Sequence, residues 1–236
     1  MREGETILYL SYPLIELQRQ QQSSLTAHAA CVNLNGTAVL LLGKEGAGKT
    51  TLALQLCQQY GASLIANDLT VIGLTQGQLA ALGGTKFFFL RYESIRRNLP
   101  GLLPLFTKPG KDPWLRKVKV QPSSLDIGIW GGLAPIRRAY MVHVDEMQTE
   151  VFADTADSLV TRLYLNENFS RYIRSTCTVM LGGNDHDLLG YIPSLDAEQF
   201  YEMRKGLILA ILRQANLCYV SGPLKPVAEY ISCSSR

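Results

Sequence analysis

The sequence predicts an α/β fold with a mixed β-sheet. An apolar, strand-like run at residues 38–42 leads into a glycine-rich loop at 43–50, and a helix-favouring run follows at 51–59. A hairpin signal, Asn35-Gly36 between two apolar runs, precedes this unit, and a second one follows at 69–82. The early hairpins indicate antiparallel neighbours, while the strand–loop–helix unit is typical of parallel α/β folds, so we expect both kinds of strand pairing.

The glycine-rich loop reads Gly-Lys-Glu-Gly-Ala-Gly-Lys-Thr, which is a complete Walker A pattern. Glycines let successive backbone N–H groups face one anion, and the following helix adds the positive end of its dipole. Lys49 could reach the outer phosphates, and the Thr50 hydroxyl could hold Mg²⁺. We therefore predict ATP, or another NTP, with Mg²⁺ as cofactors. The predicted phosphate-binding residues are Gly43, Gly46, Ala47, Gly48, Lys49, Thr50 and Thr51.

The composition of the chain argues against several classes of protein. The chain has 236 residues, of which 47% are hydrophobic and 18% charged, which is typical of a globular protein with one large or two small domains. A net charge of +3 without single-sign blocks argues against nucleic-acid binding. There is neither an apolar run of about 20 residues nor a secretory signal, so no membrane span is expected. Five cysteines without paired spacing favour reduced thiols in a cytoplasmic protein over zinc or disulfides.

The rest of the chain supports one main domain. Residues 6–12 alternate loosely and predict a strand, and 13–24 resemble a polar connector, so we divide the chain into a 1–26 strand and connector and a single 27–236 P-loop domain. Proline and basic residues mark 100–124 as a loop-rich insert. Patterns elsewhere predict strands at 62–66, 86–91, 139–144 and 217–220, and helices at 92–99, 156–175, 197–215 and 226–231.

Asp68 ends the strand that directly follows the phosphate-loop helix, and His28 stands before the first hairpin. Together with the loop and the stretch Gly-Ala-Ser-Leu-Ile-Ala-Asn-Asp at 61–68, these residues resemble the C-terminal domain of HPr serine kinase/phosphorylase. The resemblance covers residues 27–74 and implies a fold akin to that of ATP-type phosphoenolpyruvate carboxykinases. It implies phosphate transfer to a serine or related hydroxyl of a protein, of a peptide natural-product precursor or of a free amino acid. Family relatives form oligomers, so it also implies a homo-oligomer.

The resemblance implies roles for individual residues. Asp68, His28 and Lys49 would be catalytic, and Thr50 and Asp68 would contact the metal. Asp68 could accept the proton of the attacking hydroxyl, with metal contact through water as the alternative. Asn67 replaces the first aspartate of the family's Asp-Asp pair, and only 27 residues precede His28, so we expect no separate N-terminal domain. Both departures favour an acceptor other than HPr.

Several residues keep two interpretations. His28 could be a hydrogen-bonded residue at a strand edge, or could lie beside the transferred phosphoryl group in neutral or protonated form. Lys86 and Arg91 could be the charged ends of a strand or contacts to the transition state or the substrate. His186 fits a polar turn, although metal binding is conceivable. Trp114 could anchor a peptide or cover the core.

Three functions fit the sequence. The first is an ATP-dependent kinase that acts on a hydroxyl of Ser/Thr in a peptide or protein or of a small metabolite, for example in natural-product biosynthesis. The second is a regulatory module that binds nucleotide without transfer. The third is a P-loop ATPase or GTPase of another class, in which Asp145 would hold Mg²⁺. No motif selects ATP over GTP or pyrophosphate, and the partner expected is the acceptor, without nucleic acid or membrane.

Overall fold

The computed structural model describes residues 5–106, 116–174, 179–182, 187–191 and 194–234. The α-helices in these ranges are α1 Glu5–Gln21, α2 Lys49–Tyr60, α3 Tyr92–Asn98, α4 Leu159–Ser170, α5 Glu198–Gln214 and α6 Leu224–Ser234. Short 3-10 helices occur at Pro100–Leu105 and Pro122–Leu125. The strands are β1 Ser24–His28, β2 Ala30–Leu34, β3 Thr37–Leu42, β4 Ser63–Ala66, β5 Leu69–Thr75, β6 Gln78–Gly84, β7 Phe88–Arg91, β8 Lys117–Val120, β9 Ala134–Val144, β10 Phe152–Thr155, β11 Val179–Gly182, β12 Asp187–Tyr191 and β13 Cys218–Gly222.

The phosphate-loop strand β3 lies inside a mixed sheet with the order β4-β2-β3-β9-β13-β10. β3, β9 and β13 are parallel to one another, whereas β2 is antiparallel to both β3 and β4. An antiparallel meander, β1-β5-β6, joins the amino-terminal end of β9 through Ala80 and Ala81. The fold is therefore α/β with both kinds of pairing, as the hairpin and loop signals predicted.

Hydrophobic clusters cover both faces of β3. Leu40 and Leu42 pack with residues of α4 and α5, such as Leu207, while Val39 and Leu41 pack with residues of α2 and α6. Side chains alternate across a strand, so a strand covered on both faces must be apolar throughout. This packing holds the carboxyl end of β3, where the phosphate loop begins, between two layers of helices.

The short-range predictions are confirmed. β2 and β3 form the first hairpin, with Asn35 and Gly36 at positive φ values of 54° and 83°. Gly61 ends α2 in the left-handed conformation, and β5 pairs with β6 as the second hairpin. The predicted later strands and helices have counterparts in β4, β7, β9 and β13 and in α3, α4, α5 and α6.

The strand predicted at 6–12 and the connector predicted at 13–24 are wrong, because α1 and the start of β1 occupy these residues. Two polar residues of the expected connector, Glu16 and Gln20, are buried and form interior hydrogen bonds. The Glu16 carboxylate accepts the Thr26 N–H (3.0 Å), and Gln20 Nε2 donates to the Phe169 carbonyl (3.3 Å). The division after residue 26 falls inside β1, which pairs along its whole length with β5. The single-domain assignment of 27–236 stays a prediction.

The insert at 100–124 is more regular than predicted. β8 pairs antiparallel with β7, and Val120 is buried, so part of the insert is tied to the core. Residues 107–115, with Trp114, lie outside the described residues, as does His186. The sequence patterns did not predict β10 or the β11–β12 hairpin. None of the helices in the described ranges is long and apolar enough to cross a membrane.

Candidate functional site

The loop between β3 and α2 is shaped by glycines and held by β9. Gly43, Gly46 and Gly48 have φ values of 146°, 80° and 90°, which are unfavourable for other residues. A Cβ at position 48 would lie 2.6 Å from the side chain of Val144. The N–H of Val144 donates to the Ala47 carbonyl (2.9 Å), which ties the loop to the neighbouring parallel strand. The loop therefore keeps an open turn at the start of α2, suited to an anion.

Lys49 lies at the base of this loop with only 8% of its surface exposed. Its ammonium donates to the Gly43 carbonyl (2.7 Å) and to the Lys44 carbonyl (3.0 Å). Burial lowers the pKa of Lys49 to about 8, although the negative charge of Asp68 opposes this shift. The ammonium is therefore held at the loop by two carbonyls, within electrostatic range of the Asp68 carboxylate. Thr50 follows in the first turn of α2 and is half-buried.

Asp68 sits at the centre of a tight turn between β4 and β5. Its φ of 72° is unusual for a residue other than glycine, and the Leu69 N–H donates across it to the Asn67 carbonyl (2.9 Å). The Asn67 N–H donates to the Thr85 carbonyl (2.9 Å), and the Thr85 N–H donates to the Leu69 carbonyl (3.0 Å). These bonds hold an otherwise strained conformation in which the Asp68 side chain is 44% exposed.

His28 joins Asp68 at the end of β1. The register of β1 and β5 sets His28 opposite Leu69, and the His28 Nδ1 lies 3.2 Å from the Asp68 Oδ1. Burial lowers the pKa of His28, and the charge of Lys49 lowers it further, against the effect of Asp68. The geometry therefore favours the neutral imidazole, which can donate its Nδ1–H to the carboxylate. His28, Lys49 and Asp68, distant in the chain, lie together.

Helix α4 supports this group with two side chains that the sequence interpretation missed. The Tyr164 hydroxyl accepts the Gly43 N–H (2.9 Å) and donates to the Gly43 carbonyl (2.7 Å). The Asn168 Oδ1 accepts the His28 N–H (2.8 Å), and its Nδ2 donates to the His28 carbonyl (3.2 Å). The sequence shows that these two residues lie four positions apart on a predicted helix, and therefore on one face of it. It does not show which part of the fold that face contacts.

The two basic residues considered as substrate contacts, Lys86 and Arg91, both bind other groups of the protein. Lys86 donates to the carbonyls of Ile65 and Trp130, the latter at 3.1 Å, so it joins β4 to the segment beside it. This contact favours the structural interpretation of Lys86. Arg91 forms an ion pair with Glu45 of the phosphate loop. Arg91 thus lies near the loop, but its charge already has a carboxylate partner.

Thr51 and Asn67 face the interior. The Thr51 hydroxyl forms a hydrogen bond with that of Ser94 (2.8 Å), which joins α2 to α3. Asn67 is 1% exposed, and its Nδ2 donates to the Phe87 carbonyl (3.4 Å). An aspartate at position 67 would bury a second negative charge, whereas the amide does not. The predicted phosphate contact of Thr51 stays a prediction.

Asp145, the alternative metal ligand, follows β9. Its Oδ1 accepts the Met147 N–H (3.0 Å), as expected for a residue that stabilises a turn. The charges of described residues that act on the pKa of Lys49 are those of Asp68, Arg171 and Glu45. Asp68 is the first of the two carboxylates in this set, and Asp145 does not belong to it.

The donor set fits a magnesium nucleotide. Mg²⁺ prefers oxygen ligands and keeps waters and substrate phosphates in its shell, so it needs few protein ligands. The Thr50 hydroxyl and the Asp68 carboxylate supply oxygen, while the loop amides and Lys49 suit the phosphates. These residues could hold the cofactors that the sequence predicts.

No protein-family model and no curated protein matches this chain. Among solved structures, the HPr(Ser) kinase/phosphatase from Coxiella burnetii is similar at 16% sequence identity, over 56% of this chain and 77% of that chain, with a TM-score of 0.33. A TM-score at this level does not establish function, so the candidate site depends on its own geometry.

Proposed function

We propose that this chain is an ATP-dependent kinase that transfers phosphate to a hydroxyl group. The acceptor would be Ser/Thr of a peptide or protein, or a small hydroxylated metabolite. The observation that carries the proposal is the place of Asp68: its carboxylate is 44% exposed, lies 3.2 Å from His28 and acts on the charge of Lys49. In this proposal Asp68 is the proton acceptor next to the phosphate loop, and its exposed side receives the hydroxyl of the acceptor.

Phosphoryl transfer needs positioning and charge neutralisation more than covalent help from the protein. The loop amides and Lys49 would hold the phosphates of the nucleotide, and the Thr50 hydroxyl would hold Mg²⁺. When bound, Mg²⁺ neutralises charge on the phosphates. The acceptor hydroxyl would approach the exposed side of Asp68 and give up its proton there, while the His28 Nδ1–H keeps the carboxylate oriented.

A second candidate, an ATPase or GTPase that uses Asp145, is supported by one observation. Asp145 follows β9, the parallel neighbour of β3, and the Val144 N–H donates to the Ala47 carbonyl of the loop (2.9 Å). An aspartate at the end of such a strand could reach a metal at the loop. This candidate requires hydrolysis without an acceptor and a strong dependence on Asp145.

Matched variants separate these functions. The purified protein would be incubated with Mg-ATP and candidate peptides or hydroxy amino acids, and products scored by the mass of one added phosphate. We expect Asp68→Asn to lower transfer by roughly 10²- to 10⁴-fold, the usual contribution of a positioned acid or base. Its ATP affinity should change little, and Asp145→Asn should retain transfer.

The other possible results of these assays distinguish the three functions. Full activity in Asp68→Asn would contradict the proton-acceptor role. Acceptor-independent hydrolysis that is lost in Asp145→Asn and kept in Asp68→Asn would support the second candidate. ATP binding without transfer or hydrolysis across the whole acceptor screen would favour a regulatory module.

A further inference from the structure

Helix α4 brings a third polar side chain to the site. Tyr164 contacts Gly43 and Asn168 contacts His28, so one face of the helix lies against the loop and the end of β1. Arg171 caps the carboxyl end of α4 with helical φ and ψ of −50° and −48°. It follows Tyr164 by seven residues and Asn168 by three, a spacing that sets all three on the same face.

Arg171 is exposed, and its charge acts on the groups of the site. It lowers the pKa of both Lys49 and His28, and it acts on Glu45 of the phosphate loop. Its guanidinium lies 5.9 Å from the centre of the Tyr172 ring. Within the part of the chain that the structure describes, no carboxylate lies within ion-pair distance of Arg171.

This arrangement differs from that of the other basic residues near the loop. Arg91 is paired with Glu45, and Lys86 is bound to backbone carbonyls. The charge of Arg171 lowers the pKa of Lys49 while those of Asp68 and Glu45 raise it, and a bound phosphate would add an anion that favours both cations. A guanidinium binds phosphate through two parallel N–H donors, so a polyphosphate suits this pair.

We propose that Arg171 contacts the terminal phosphate of the bound nucleotide and stabilises the charge on the phosphoryl group during transfer. The proposal rests on the proposed kinase function and adds a residue that would distinguish a nucleoside triphosphate from a diphosphate. Arg171 would then fill the role for which the sequence suggested Lys86 or Arg91.

Binding measurements test this assignment without requiring a known acceptor. The dissociation constants of Mg-ATP and Mg-ADP would be measured by calorimetry for the wild type, Arg171→Ala and Arg171→Lys. The control is Arg162→Ala, which removes an exposed guanidinium of the same helix that pairs with Asp157 instead. We expect Arg171→Ala to weaken ATP binding roughly 10- to 100-fold, the range for a charge-assisted hydrogen bond, and ADP binding much less.

Arg171→Lys should lie between the wild type and Arg171→Ala, because it keeps the charge but loses the paired donors. Equal losses for ATP and ADP, or a change no larger than that of Arg162→Ala, would overturn the role of Arg171 and leave the kinase proposal standing. A wild type that binds neither nucleotide would overturn both. Selective loss of ATP affinity in a protein that phosphorylates no acceptor would support Arg171 and reject the kinase.

Discussion

Among single residues, Asn67 and Asp68 are adjacent in the chain but differ in their surroundings. Asn67 is buried and bonded to the Phe87 carbonyl, whereas Asp68 adopts a positive φ and projects its carboxylate toward His28. Two aspartates here would bury one negative charge close to another, which is unfavourable without a further cation. The amide at position 67 is therefore compatible with the role proposed for the carboxylate at position 68.

The lowered pKa of Lys49 predicts a pH dependence of nucleotide binding. The free protein holds Lys49 with a pKa of about 8, and bound phosphate would raise that value because it favours the charged form. Mg-ATP affinity should be highest and constant below this pKa. Above it, the affinity should fall by up to about tenfold per pH unit. Dissociation constants at pH 7, 8 and 9 would measure the effect.

The control for this pH dependence is Lys49→Arg, whose guanidinium stays charged over the whole range. Its affinity should change less between pH 8 and 9 than that of the wild type, whatever its absolute value. If the wild-type affinity did not change between pH 7 and 9, the prediction that the phosphates bind the charged ammonium of Lys49 would be wrong.

At the scale of elements, the β5–β6 hairpin builds the turn that carries Asp68. β6 contains a bulge, and its last residue, Gly84, lies against the Leu69 carbonyl, so that a Cβ there would lie 2.0 Å from that oxygen. The following residue, Thr85, holds the turn through hydrogen bonds to Asn67 and Leu69. The end of β6 and Thr85 thus hold the turn from which the Asp68 side chain reaches His28.

Gly83 and Gly84 offer a matched pair of substitutions. Both have positive φ values, 137° and 139°, but a Cβ at Gly83 would meet nothing within 4 Å. Gly83→Ala should cost only backbone strain, while Gly84→Ala should lower the free energy of unfolding by roughly 1–3 kcal/mol more, the typical cost of overpacking. Urea unfolding of both variants measures the difference. Equal costs would show that the chain relaxes around the added methyl.

At the scale of the whole molecule, a buried polar network holds α1 against α4 and α5. Arg204 of α5 is 0% exposed and donates to the Gln20 Oε1 (2.9 Å) and to Asp196 (2.9 Å). Gln20 in turn donates to the Phe169 carbonyl in α4 (3.3 Å), one residue after Asn168. The position of α4 over the site therefore depends on contacts made by the amino-terminal helix.

Arg204→Ala should destabilise the protein, because it removes the buried donor to the Gln20 Oε1 and leaves Arg174 as the cation paired with Asp196. Losing a hydrogen bond from a charged donor costs about 1.5–3 kcal/mol, and Arg204 makes such a bond to Gln20 and to Asp196. The exposed pair of Arg162 and Asp157 is the control, since such a surface contact contributes about 0–1 kcal/mol. Chemical unfolding of Arg204→Ala and Arg162→Ala measures both. Similar stabilities for the two variants would contradict the role of the network.

Local signals predicted much of the fold because they act over a few residues. A tight hairpin turn requires positive φ values, which Asn35 and Gly36 adopt readily. The spacing of apolar residues predicts a helix such as α5 before the elements that pack against it are known. The Walker A loop likewise depends on neighbouring glycines. The region from 6 to 24 was misread because its buried Glu16 and Gln20 look like surface residues until their partners are known.

The strand–loop–helix unit, both hairpins and the residues expected to hold a nucleotide were predictable from the sequence, since each depends on the preferences of adjacent residues. Packing between distant segments brings His28 to Asp68, sets Lys86 against two backbone carbonyls, and carries Tyr164 and Asn168 of α4 to the site. These contacts join residues up to 140 positions apart. Such encounters follow from how sheets and helices pack, which no short stretch of the sequence specifies.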